Sequence, residues 1–222
     1  MEMSRREANR LERRAAIVAV ARKHFFENGY AATSMSAIAA ELGGSKGTLW
    51  NYFPSKDDLF AAVVDDTASG IRARLDLAPR EHSAFDQIVR LCRSFIDRGT
   101  STPAQSMMRM IISEGHRQPH VANIFFDRGP RVTQELVAEY LREHFADRLW
   151  TTDYLGAGKT LVALCMEGSF YQQLWGIKSQ PSSEQKDADA RKAALLFLRA
   201  YGTEELVKSL EAETRSEQKR AA

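Results

Sequence analysis

Apolar residues recur at spacings of three and four along most of this chain, and no useful stretch alternates with the period of two that marks a half-buried strand. Leu11, Ala15, Val18, Ala21 and Phe25 form the first stripe. They predict a helix from about Asn9 to Asn28, with Gly29 as its stop. Met35, Ile38, Ala39 and Leu42 predict a short helix over 35–42, capped by the hydroxyl of Ser34 or Thr33. Gly43-Gly44 supplies a tight turn. Ser45 can then cap a second short helix, from Lys46 to about Tyr52, with Leu49 and Phe53 on its inner face. Pro54 ends that helix, because the residue before a proline is pushed out of the helical region. Ser55-Lys56-Asp57-Asp58 has the form of a capping box. It opens a helix to about Leu75 or Leu77, buried through Leu59, Phe60, Val63 and Val64 and closed by Ala78-Pro79-Arg80.

The same periodicity predicts helices over about Ser83–Asp97, Pro103–Glu114, Arg131–Phe145, Tyr154–Trp175 and Ala188–Tyr201. Pro119 and Gly129-Pro130 interrupt the pattern, and Ser179–Asp187 reads as a loop by composition. Glu204–Ala222 is helix-compatible but increasingly polar, and it is expected to fray. The fold class is therefore all-α.

Two short helices joined by a glycine turn have the form of a helix-turn-helix, whose second helix enters the major groove. A small helical hairpin that only packs has the same spacing. The second helix carries Lys46, Thr48, Asn51 and Tyr52, hydrogen-bonding groups that a helix so short does not need for its own stability. Lysine, threonine and tyrosine suit phosphate oxygens, and these residues favour the DNA-binding reading. The start of the chain is locally basic through Arg5, Arg6, Arg10, Arg13 and Arg14. It reads either as a solvated helix end or as an arm that touches the phosphate backbone or the minor groove.

The run from Ile17 to Leu59 resembles the DNA-binding domain of the TetR (tetracycline repressor) family of bacterial regulators. The resemblance is carried by Phe25-x-x-x-Gly29-Tyr30-x-x-Thr33-Ser34, Ile38-Ala39, Gly43, Ser45-x-Gly47-Thr48-Leu49 and Tyr52-Phe53-x-Ser55-Lys56-x-x-Leu59. Gly44 departs from the small β-branched residue usual in the family, and Trp50 from its tyrosine. The C-terminal part is similar, more loosely, to the regulatory domains of AcrR-like members, notably over Met108–Glu114 and the Gly129-Pro130 break. The resemblance implies an N-terminal three-helix DNA-binding domain, residues 1–56, and a C-terminal helical bundle for ligand binding and dimerisation, residues 57–222. It also implies that helix 55–77 moves when a ligand binds. Tyr154–Trp175 and Ala188–Tyr201, apolar on more than one face, would then pair with their counterparts in a second subunit.

Composition changes the picture little. Hydrophobic content is 44% and charged content 27%, ordinary for a soluble globular protein. Lys and Arg number 31 against 29 Asp and Glu, so basic charge for DNA has to be local. No apolar run approaches a membrane span, and MEMSRREANRLERR lacks the apolar segment of a signal peptide, so a cytoplasmic location is expected. The 2 cysteines, Cys92 and Cys165, are too few for a disulfide framework, and both lie in apolar stretches where a thiol packs as a small hydrophobe.

Two other motifs invite an enzymatic reading. Asp153-x-x-x-x-Gly158-Lys159-Thr160 resembles a phosphate-binding loop, but Asp153 stands where the first glycine belongs and no strand precedes it. His116 and His120, near Glu114, have zinc-pair spacing, but Pro119 lies between them. No metal or cofactor is expected, and no nucleophile, base and orienter can be assembled.

With the family resemblance, the reading is a protein that is not an enzyme and binds double-stranded DNA at a near-palindromic operator; the resemblance implies a ligand-responsive, dimeric repressor of transcription. Thr48, Trp50, Tyr52 and Lys56 are expected to grip phosphates. Lys46, Gly47 and Asn51 are expected nearest the bases, and Thr33 and Ser36 add backbone contacts. Phe95, Met107, Met110, Met166 and Phe170 are expected to line a pocket for a small hydrophobic effector (a drug, flavonoid or fatty acid). A transcriptional activator of the same fold and a helical adaptor for protein partners remain as alternatives.

Overall fold

The computed structural model describes residues 4–43, 46–69 and 83–221. They form helices α1 (Arg5–Ala32), α2 (Met35–Glu41), α3 (Lys46–Tyr52), α4 (Lys56–Ala68), α5 (Ala84–Gly99), α6 (Thr102–Glu114), α7 (Pro119–Arg128), α8 (Pro130–Phe145), α9 (Tyr154–Met166), α10 (Ser169–Leu174), α11 (Ser183–Tyr201) and α12 (Glu204–Ala221). The extended pairing among the described residues is an isolated bridge between Leu149 and Gly202. None of these helices is long and apolar enough to cross a membrane.

The chain divides into two compact units: residues 1–69 with 106–131, and residues 70–105 with 132–222. The first is built on Ile17, Val18, Ala21 and Phe25 of α1, Ile38 of α2, Leu49 of α3, and Leu59, Phe60 and Val63 of α4. Met107, Met110 and Val121 complete this core. Phe25, Tyr30 and Phe60 meet at its centre, with edge-to-face contacts at 5.4 Å from Phe60 to each of the other two rings. The second unit packs α5 and α9 against α11 and against each other, through Ile88, Cys92, Leu161, Ala194 and Phe197, with Leu141 of α8 in the same core.

Local chemistry explains several helix starts. Ser4, Ser34, Ser55, Ser83 and Ser182 are N-caps, each accepting a backbone N–H from the first turn. Several expectations need correction. Leu11 and Ala15, assigned to the buried stripe of α1, are exposed, and burial begins at Ile17. Helix α4 stops at Ala68, where Ser69 turns to extended backbone, well short of Leu75; Ala78-Pro79-Arg80 lies outside the described residues. The single helix expected over 154–175 is two, because Gly168 adopts φ +78° between α9 and α10. Helix α11 begins inside the expected loop, on its Ser182 cap. Pro119 opens α7 rather than merely interrupting, since a proline suits the first turn of a helix. On helix α11, Ala190, Ala193, Ala194, Phe197 and Leu198 are buried in the unit's own core, and Leu196 is exposed on another face.

Candidate functional site

Helices α2 and α3 meet through the turn at Gly43, which sits at φ +64°. Gly44 and Ser45 of that turn lie outside the described residues, as does the side chain of Lys46. Leu49 and the following Phe53 anchor α3 inward and are fully buried. Gly47, Trp50 and Asn51 are then left exposed. At 3.6 residues per turn they share an arc of about 100° on the outer side of the helix. Thr48 and Tyr52, on the flanks, are half-buried, as is Ser36 in the first turn of α2. The face that would meet a base edge thus carries one amide, one indole and one position without a side chain. The glycine lets the backbone approach closely, and an amide can bond adenine in bidentate fashion.

Two residues expected at the DNA are hydrogen-bonded within the scaffold. Thr33 is 3% exposed, and its hydroxyl donates to the carbonyls of Gly29 (2.6 Å) and His24 (3.0 Å), closing the end of α1. The Lys56 ammonium donates to the carbonyls of Tyr30 (2.9 Å) and Thr33 (3.1 Å) and lies 4.2 Å from the centre of the Tyr30 ring. Its charge therefore neutralises the carbonyl end of α1, where helix polarity favours a cation.

Glu114 is the residue of this region that the sequence hid. Gly29 breaks α1 with φ +81° and ψ 171°, a conformation essentially confined to glycine. The break frees the amides of Tyr30 and Ala31. The Glu114 carboxylate accepts both, at 3.0 and 2.8 Å, and also takes Gln118 Nε2 at 3.2 Å. A Cβ on Gly29 would overlap that carboxylate. The Tyr30 hydroxyl in turn donates to Asp57. Burial, then this hydrogen bond, push the Tyr30 phenol well above its usual range. The only sequence signal for Glu114 was a glycine placed to break a helix, and its partner lies 84 residues away.

The other candidates resolve into scaffold. Asp153 caps α9 by accepting the Gly156 N–H at 2.9 Å, and Gly158 lies against the backbone of α8. The loop-like glycines are thus helix start and helix contact. His116 lies in the turn before α7 and His120 in its first turn, so they share no continuous helix. Among the described residues no group of three His, Cys, Asp or Glu is placed to hold a metal. Cys92 and Cys165 are buried on α5 and α9. Burial, then the neighbouring Cys165 thiol, push the Cys92 thiol far up.

The five expected pocket residues are divided. Met107 and Met110 are buried in the first unit's core, whereas Phe95, Met166 and Phe170 belong to the second unit. Met110 also lines a groove of about 500 Å³ with Phe25, Phe26, Asn28, Ser106, Arg109 and Ser113. In the second unit, Nε and Nη2 of Arg90 on α5 are buried and have no hydrogen-bond partner among the described residues.

Residues 17–63 match the family model described as bacterial regulatory proteins, tetR family, and residues 86–203 match that of the AefR-like transcriptional repressor, C-terminal domain. The chain is 27% identical over 169 residues to the nucleoid occlusion factor SlmA of Haemophilus influenzae, covering 72% of this chain and 75% of that one. It is 32% identical over 131 residues to the HTH-type transcriptional regulator UidR of Escherichia coli, covering 59% and 65%. Among solved structures, the flavonoid-responsive regulator FrrA is similar at a TM-score of 0.72 and 26% identity, over 87% of this chain and 98% of that one.

Proposed function

The chain belongs to the TetR family of bacterial transcriptional regulators, and from that premise we propose that it is a cytoplasmic, dimeric repressor that leaves a near-palindromic operator when a small, largely apolar effector binds. The observation that carries the DNA-binding half is the outer face of α3, where Gly47, Trp50 and Asn51 stand free above a fully buried Leu49 and Phe53. Asn51 reads a base, Lys46 and the Gly47 backbone approach the groove floor, and Thr48, Trp50, Tyr52 and Ser36 meet phosphates. We place the boundary of the DNA-binding domain at 56/57, with the effector and dimer functions beyond it.

Repression is favoured by the AefR-like repressor model over 86–203. An effector-binding second unit is favoured by FrrA, which is named as flavonoid-responsive. Leaving buried N–H donors without a hydrogen bond is costly. An acidic or phenolic group on an otherwise apolar effector would offset that cost at Arg90. Dimerisation is favoured by apolar side chains that the second unit leaves exposed on its late helices, Leu155 and Leu196 at 42% and 43%. An isologous pairing would cover both.

The test is selection of bound fragments from random DNA by the purified protein. A two-fold-symmetric motif is expected. Asn51→Ala should leave affinity for random DNA unchanged but weaken binding to the selected motif by at least about tenfold and lose preference at one position per half-site, since each bidentate contact is worth about 1–3 kcal/mol of discrimination. Binding without a motif would remove the regulatory reading. Transcription from selected sites should rise when the protein is absent, and a fall would make it an activator.

A further inference from the structure

We propose that the first three turns of α1 are a second DNA-contacting element, a rigid basic rod that grips backbone phosphates beside the groove occupied by α3. The proposal rests on the DNA-binding reading above and adds a site to it.

The segment is not a frayed arm. Ser4 and Glu7 form a reciprocal capping box, so helix begins at Arg5. Ile17 is the first buried residue. From Arg5 to Ile17 the helix therefore runs about 18 Å before its first buried residue. A helix polar nearly all round gains little from folding onto a core. What these turns do carry is charge: residues 4–16 contain five arginines against two glutamates, in a chain whose net charge is only +2.

The charge is also directed. Arg6, Arg10, Arg13 and Arg14 fall within an arc of about 100°. Glu7 is engaged at the cap through Ser4 N–H, and Glu12 lies on another side of the helix. The two inner arginines fix where that arc points. Arg13 Nη2 donates to the carbonyl of Leu42 at the end of α2 (3.4 Å), and the Arg14 guanidinium sits 5.1 Å from the Phe53 ring at the end of α3. The stripe thus lies on the side of α1 that faces the reading pair. Further along α1 the cations are paired, Arg22 with Asp66 and Lys23 with Glu41. Among the described residues Arg6 and Arg10 have no acidic partner.

DNA offers the matching chemistry. Phosphate neutralisation dominates affinity, and guanidinium groups suit phosphate oxygens. Helix α3 alone brings a single cation, Lys46, and the ammonium of the nearby Lys56 is hydrogen-bonded at the end of α1.

The experiment measures operator affinity against salt for the full chain and for the double variant Arg6→Ala, Arg10→Ala, with Lys159→Ala, an exposed cation of the second unit, as control. Each lost phosphate contact lowers the slope of log affinity on log salt by about 0.9. The double variant is expected to lose about 1.8 in slope per bound protomer while keeping the selected motif and its thermal stability. Lys159→Ala is expected to change neither. An unchanged slope in the double variant overturns the proposal, as does an equal loss in Lys159→Ala, which would reduce the effect to general charge. Absence of any motif in the unaltered protein would instead overturn the DNA-binding reading, so the two failures are distinguishable.

Discussion

Gly29, Glu114 and Lys56 act together on one helix end, and none of them touches the outer face of α3. The glycine creates two free amides, the glutamate accepts them, and the lysine covers the carbonyls that follow. Gly29→Ala puts an L-residue into a backbone region worth about 1–3 kcal/mol of strain and pushes Glu114 out of its seat. Its unfolding midpoint should fall by several degrees in a thermal melt. Glu114→Gln keeps the shape but sets an NH2 against one of the two amides, at a cost of about 1–3 kcal/mol. Lys56→Ala is expected to lower stability as well as affinity, because its ammonium is a structural donor. A variant that melted like the parent yet lost salt slope would return Lys56 to the phosphate backbone.

At the scale of elements, single caps and single glycines decide boundaries that periodicity leaves blurred. Ser34 holds α2 through the Ala37 amide at 3.1 Å, and Ser34→Ala should cost about 1 kcal/mol, measurable by chemical denaturation. Cys92 on α5 and Cys165 on α9 meet inside the second core. With its thiol held far above the ordinary range by burial, Cys92 is expected to resist iodoacetamide at pH 8 in the native protein and to react once denaturant is added. Mass spectrometry of the labelled peptide reads both states. Rapid native labelling would mean that the α5–α9 contact opens.

For the molecule as a whole, each compact unit buries a tyrosine whose phenol is pushed upward by burial: Tyr30 in the first and Tyr140 in the second. A raised folded-state pKa means that the neutral phenol is the form the fold accepts. The associated stability is complete below the unfolded value, near pH 10, and declines as pH rises beyond it. Alkaline titration should therefore destabilise both units from about pH 10, and Tyr30→Phe should flatten that dependence for the first unit alone. An alkaline limb unchanged by Tyr30→Phe would show that the phenol is not held neutral by the fold.

Periodicity, caps and glycine placement determined the all-α class, the short pair α2 and α3, and the outward position of Gly47, Trp50 and Asn51, because these follow from contacts within four residues along one helix. Sequence could not show which side of α1 would find a core. Leu11 and Ala15 fit the helical stripe as well as Val18 and Phe25 do, yet both are exposed. Nor could it show that Thr33 and Lys56 close a helix end, that Glu114 seats against Gly29, or that the five apolar residues read as one pocket divide between two units. Those facts depend on partners tens of residues away. Only the packed chain fixes which polar group meets which, because burial and hydrogen-bond satisfaction are properties of the assembled core rather than of any local window.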